Sequence, residues 1–167
     1  MIPTGAMCAR NISEFLVDPL CPLDLSRLLH LKCVLLRIQI LLNLLQAVGR
    51  TVQSLDIPAT DLERLDMRAF PALSYVTVRE RGKFLRGAIE RCCEGSVRTI
   101  CHPLEAWMTT THLDTIRSVI LSAAPRALRR VEVVVSSTGP RRAERIALIR
   151  RRMPELSESG MLAITFL

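Results

Sequence analysis

Cys92, Cys93, Cys101 and His102 lie close together in the sequence and carry the two side-chain types, thiol and imidazole, that hold structural zinc. Zinc takes a C-x(2–4)-C pair answered by a second spaced pair. Here each pair consists of adjacent residues, so each would have to bend back on itself. The spacing predicts buried or surface thiols, no metal and no cofactor. A nucleophile needs an imidazole base and an orienting acid within reach. The only histidines are His30, His102 and His112. Cys101 and His102 are neighbours whose side chains diverge on a strand. No G-x-S-x-G, Walker A or G-x-G-x-x-G pattern occurs. The expectation is a chain without catalytic residues that is not an enzyme.

Charge is the second chemical resource. The net charge of +7 has a place: residues 126–152 hold nine arginines against Glu132 and Glu144, and the rest of the chain is balanced. Arg141, Arg142, Arg145, Arg150, Arg151 and Arg152 form a basic patch, of which the last four lie on a predicted last helix. Such a patch serves a solvated helix face, an acidic partner or nucleic acid. Aromatic residues for base stacking are missing nearby, which places nucleic acid last. The single Trp107, after Pro103, is read as a plug over the core.

Six apolar runs must position these residues. Each reads apolar-x-x-apolar-x-apolar: Leu31/Val34/Leu36, Val52/Leu55/Ile57, Leu73/Val76/Val78, Val97/Ile100/His102, Leu128/Val131/Val133 and a weaker Ser159/Leu162/Ile164. Their middle positions are 21, 21, 24, 31 and 31 residues apart. Recurrence at this period marks a solenoid of strand-plus-helix repeats. His102 stands where the pattern asks for an apolar residue.

Apolar stripes predict helices or turns over 40–49, 59–70, 83–93, 112–124 and 143–153, with Thr60 and Asp61 capping the second. Pro71, Pro125 and Pro154 punctuate the helix-to-strand turns. Strands alternating with helices run parallel. The expected fold is therefore α/β: an irregular leucine-rich-repeat solenoid with parallel strands on the concave side and short helices on the convex side. Residues 1–22 form an irregular lead-in and residues 23–167 the repeat domain.

If the phased residues point into the core, the alternate set faces the concave side. Its binding candidates are Arg37, Asp56, Tyr75, Thr77, Arg79, Thr99, Arg130 and Glu132. Mixed chemistry of this kind suits protein recognition better than a phosphate-binding stripe.

The 167 residues suffice for one domain with a real core, and an apolar content of 49% argues against disorder. No apolar leader is visible at the start. The apolar stretch 31–48 contains Lys32, Arg37, Gln39, Asn43 and Gln46, too polar for a bilayer. Six cysteines without paired spacing read as free thiols. An intracellular protein, cytoplasmic or nuclear, without a membrane segment is expected.

The stretches DLSRLLHLKCVLLRI, FPALSYVTV and RRRMPELSESGMLAITFL carry a resemblance. Over residues 23–167 the chain resembles the leucine-rich-repeat part of divergent, fungal-type F-box proteins. In that family the F-box binds the adaptor of a cullin ubiquitin ligase and the repeats select the substrate. Residues 1–22 are too short for an F-box, so the resemblance implies only the second role, with an unknown protein partner and no direct adaptor contact. The asparagine that follows the strand in regular repeats has no consistent counterpart here. The last strand carries no capping repeat, so its apolar side is expected to be exposed.

Overall fold

In the computed structural model, residues 25–33, 38–79, 83–104, 111–136 and 142–167 are described. Six strands alternate with helices: β1 (His30–Lys32), α1 (Ile38–Val48), β2 (Ser54–Pro58), α2 (Ala59–Leu62), β3 (Tyr75–Arg79), α3 (Leu85–Glu94), β4 (Thr99–Leu104), α4 (Thr111–Ala123), β5 (Arg130–Val135), α5 (Arg142–Arg152), α6 (Pro154–Glu158) and β6 (Leu162–Phe166). All strand pairs are parallel, and the sheet runs β1 to β6 in chain order. The α/β class and the parallel sheet follow the sequence expectation.

The register matches the phased runs at five strands. Leu55 pairs with Val76, Val76 with Ile100, Ile100 with Val131, and Val131 with Leu162. The first run is corrected. Leu31, not Val34, pairs with Leu55, so these middle positions lie 24 residues apart. Leu28, Leu31 and Cys33 satisfy the same apolar rhythm, and the apolar string LLHLKCVLL admits both phases. Val34 and Leu36 lie outside the described residues, as do Trp107 and residues 1–22.

One side of the sheet carries the core. Leu55, Ile57, Val76, Val78, Ile100, Val131 and Val133 are fully buried. They join helix residues such as Leu41, Leu45, Ile89, Cys92, Leu113, Ile116 and Ile149 in one apolar cluster. In α3 the buried Leu85, Ala88, Ile89 and Cys92 recur at helical spacing, which fixes the face turned inward. The other alternate set of strand residues, led by Asp56, Tyr75, Thr77, Glu132 and Thr165, lies on the opposite, open side.

A repeated backbone device holds β1 to β5 side by side. The Leu29 carbonyl accepts from the N–H groups of Gln53 and Ser54. The Gln53 carbonyl does the same for Ser74 and Tyr75, Ser74 for Arg98 and Thr99, and Arg98 for Arg129 and Arg130. Thus one carbonyl just ahead of each of β1 to β4 clamps two successive amides at the start of the next strand. Hydroxyls add to it: Thr51 Oγ1 donates to the Leu28 carbonyl (3.3 Å) and Ser96 Oγ to the Leu73 carbonyl (2.9 Å).

Three local expectations change. Pro58, not Thr60 or Asp61, occupies the cap of α2, and no side chain caps it. The segment 59–70 divides into the four-residue α2 and a three-residue 3-10 turn, Met67–Ala69, capped by Asp66 Oδ1 accepting from the Arg68 N–H at 3.0 Å. Pro154 does not lead directly into the last strand. It opens α6, where a proline's missing N–H costs nothing. Gly160, at φ 73°, then provides the left-handed turn into β6.

Candidate functional site

The open side of the sheet gathers most of the expected recognition residues into rows. Parallel pairing aligns Lys32, Asp56, Thr77, Cys101, Glu132 and Ala163 across six strands. The neighbouring row on one side is His30, Ser54, Tyr75, Thr99 and Arg130. Two residues farther along the strands, Pro58 stands beside Arg79, and Pro103, Val134 and Thr165 adjoin one another. Alternation along each strand places all three rows on one face.

Two carboxylates anchor these rows, each with only about one-sixth of its side chain exposed. Asp56 (17%) receives both arms of the Arg79 guanidinium, at 2.7 and 2.9 Å, with the Lys32 ammonium at 3.9 Å. Planar two-pronged pairing fixes the orientation of both groups. Glu132 (16%) accepts from the Tyr75 hydroxyl at 3.2 Å and from Thr165 Oγ1 at 2.7 Å, and Arg130 approaches it at 3.6 Å. Tyr75 on β3 thus reaches across β4 to an acid on β5. Thr77 and Cys101 lie buried between the two anchors.

Burial raises the Tyr75 hydroxyl pKa, and its contacts with Cys101 and Glu132 add to the rise. Burial also raises the Cys101 thiol, while hydrogen bonds with Tyr75 and Thr77 pull against it. Both groups stay protonated near neutrality, so the cluster offers donors and a polar surface rather than a nucleophile.

Of the predicted recognition residues, Asp56, Tyr75, Thr77, Arg79, Thr99, Arg130 and Glu132 share this face. Arg37 lies outside the described residues. The strand position beside Asp56 belongs to Lys32, a consequence of the corrected phase of β1. Lys32 was missed because its run was read three residues out of step.

The basic patch is elsewhere. Arg142, Arg145, Arg150, Arg151 and Arg152 lie on α5, in the helical layer, and Arg141 lies outside the described residues. Arg152 turns back to Asp114 of α4 at 3.1 Å, and the Arg142 guanidinium lies 4.4 Å from the centre of the Phe166 ring. Open face and basic patch are therefore separate surfaces.

The cysteine–histidine cluster does not converge. Cys92 is buried in α3 within the core, and Cys93 is half-buried beside it. Cys101 faces the open side, and His102 faces the core. Burial pushes the Cys33 and Cys93 thiols up to about 11 and raises Cys92 as well. Among the described residues no group of three or more His, Cys, Asp or Glu could hold a metal ion.

His102 has a different partner. It is fully buried, and its Nδ1–H donates to the Val78 carbonyl at 3.0 Å. That bond leaves a bare Nε2 lone pair with no partner. The His112 ring stands edge-on, 5.8 Å between centres, with its own Nδ1 buried and unpartnered. Burial lowers the His102 pKa to about 4, the Val78 bond opposes this, and His112 reinforces it. The only sequence signal was a histidine at a core-phase position.

A groove of about 460 Å³ opens in the helical layer between the end of α1 and the Met67–Ala69 turn, lined by Leu45, Gly49, Arg50, Arg64 and Phe70 among others. It lies apart from the polar rows. Among the described residues no helix is long and apolar enough to cross a membrane. No protein-family model matches the sequence, no curated protein matches it, and no solved structure matches the fold.

Proposed function

We propose that this chain is a non-enzymatic recognition module: a leucine-rich-repeat solenoid whose open, concave face holds another protein inside the cell. Its role would resemble that of the substrate-selecting repeats of an F-box ubiquitin-ligase subunit. The sequence resemblance described above supports that comparison, and the free cysteines support an intracellular site.

One observation carries the reading. Among the described residues no helix covers the polar rows from Lys32 to Thr165, and their carboxylates are already held by cations and hydroxyls of the same face. Side chains immobilised before contact lose little further freedom on binding, which favours affinity and a single register. Lys32, Arg79 and Arg130 remain substantially exposed, with side-chain exposures of 63, 43 and 54%, and can donate to a partner's acidic or carbonyl groups.

Photo-crosslinking in cells tests this. A photoreactive residue at Thr99 should yield discrete protein adducts, and one at the exposed Arg86 on α3 should not. A Tyr75/Arg79/Arg130 triple alanine variant should lose the Thr99 adducts. Equal adducts at both positions, or adducts that survive the triple substitution, would remove the open face from the account.

A further inference from the structure

Among the described residues β6 is the last strand of the sheet and pairs only with β5. The Met161 carbonyl accepts from the Val131 N–H (2.8 Å), and the Leu167 N–H donates to the Val135 carbonyl (3.2 Å). Strand alternation then turns the N–H and C=O groups of Leu162, Ile164 and Phe166 outward, away from β5. The side chains of these three residues follow the core phase. Their counterparts Val131, Val133 and Val135 are fully buried, yet Leu162, Ile164 and Phe166 are each only half-buried. The helical layer is also less covered there: Leu113, Ile116, Val119 and Ile120 of α4 are buried, whereas in α5 Ile149 is buried and Ile146 and Leu148 are half-exposed.

Charge defines what could cover this end. The α5 helix carries five arginines and one acid, Glu144. No salt bridge engages Arg142, Arg150 or Arg151 among the described residues, and Arg142 lies over the ring of Phe166 at the edge itself. A second copy of the chain would bring two such helices together in a protein of net charge +7, which is unfavourable. Nucleic acid would meet the arginines but could not use the outward amides and apolar side chains of a strand.

We propose that β6 accepts an extended segment of a partner protein by strand addition, with apolar residues at alternate positions and acidic residues at its ends. The added strand would satisfy the outward backbone groups of Leu162, Ile164 and Phe166. Its apolar residues would continue the core row, and its terminal carboxylates would meet Arg142 and the exposed arginines of α5. This surface is separate from the open face and stands without it.

The test is fluorescence anisotropy of the whole protein with a labelled peptide, Asp-Glu-Val-Thr-Ile-Thr-Val-Glu-Asp. Saturable binding is expected. N-methylation of the alternate amides that would pair with β6 should weaken it at least tenfold, with the protein unaltered. Arg142→Glu with Arg150→Glu should weaken it by a similar factor, and Arg79→Ala should leave it unchanged. Hydrogen exchange should slow at Leu162, Ile164 and Phe166 when the peptide is bound. Several results would overturn the proposal: no saturable binding, equal affinity for the N-methylated peptide, displacement by a single-stranded oligonucleotide with a steep salt dependence, or a concentration-dependent dimer of the protein alone that occludes the edge.

Discussion

At the scale of single residues, His102 is the least comfortable side chain in the core. Its folded pKa of about 4 lies below the ordinary value of 6.5, so folding favours the neutral ring. The contribution is fully present above about pH 6.5 and is lost as the pH falls through 4. A gap of this size corresponds to roughly 3 kcal/mol. Urea unfolding of wild type and His102→Leu should therefore differ by a constant amount near pH 7 and above, and diverge in favour of the variant towards pH 4. A pH-independent difference would mean that His102 does not titrate on unfolding. Two glycines make a contrasting pair. A Cβ on Gly49 would meet the Leu45 carbonyl at 2.6 Å and the Phe70 ring at 2.9 Å, whereas one on Gly87 would meet the exposed Glu63 side chain, at 2.4 Å. Backbone cannot move aside as a surface side chain can. Thermal melts should show Gly49→Ala destabilised by about 1–3 kcal/mol. Gly87→Ala should be neutral or stabilised by up to about 1 kcal/mol through helix propensity.

At the scale of elements, depth within the sheet decides the cost of a truncation. Ile100 in β4 is fully buried between two strands, and Leu162 in the same row of β6 is half-buried at the edge. Ile100→Ala should cost about 2–5 kcal/mol in urea denaturation, and Leu162→Ala markedly less. Equal costs would mean that β6 is covered in solution. The same row shows what was legible in the sequence. Val52/Leu55/Ile57 and its three successors were readable because each apolar run is bounded by polar or turn residues that leave one phase open. The first run was not, because LLHLKCVLL admits two apolar phases, Leu28/Leu31/Cys33 and Leu31/Val34/Leu36. Four helices were placed to within a few residues by their stripes. The division of 59–70 was missed because a four-residue helix carries too little periodicity. On the open face, spacing alone gathered Asp56, Tyr75, Thr77, Arg79, Thr99, Arg130 and Glu132. Which groups would bond to which was not legible, because cross-strand partners such as Tyr75 and Glu132 stand 57 residues apart. His112 beside His102 was illegible for a related reason: they belong to different elements, one on β4 and one on α4.

At the scale of the whole molecule, the chain has two chemical sides and two unlike ends. The open face is polar and internally paired, the helical layer is basic at its far end, and β6 closes the sheet less completely than its predecessors. Successive repeats keep one register although the aligned residues Leu31, Leu55, Val76, Ile100, Val131 and Leu162 stand 24, 21, 24, 31 and 31 residues apart. An insertion of three residues between Arg126 and Ala127, ahead of β5, should therefore cost only about 1 kcal/mol, since loop entropy grows slowly with length. Amide exchange in β4 and β5 should stay as slow as in wild type, and faster exchange in both strands would show that connector length sets the register. From β1 to β5 this register is accompanied by the carbonyl clamp, in which Leu29, Gln53, Ser74 and Arg98 each hold two amides at the start of the next strand. Where alignment is fixed at such a joint, the connectors need carry no positional information. A lineage could lengthen, shorten or recompose them while the face they support stays in step, so the connectors and the open face can follow separate histories.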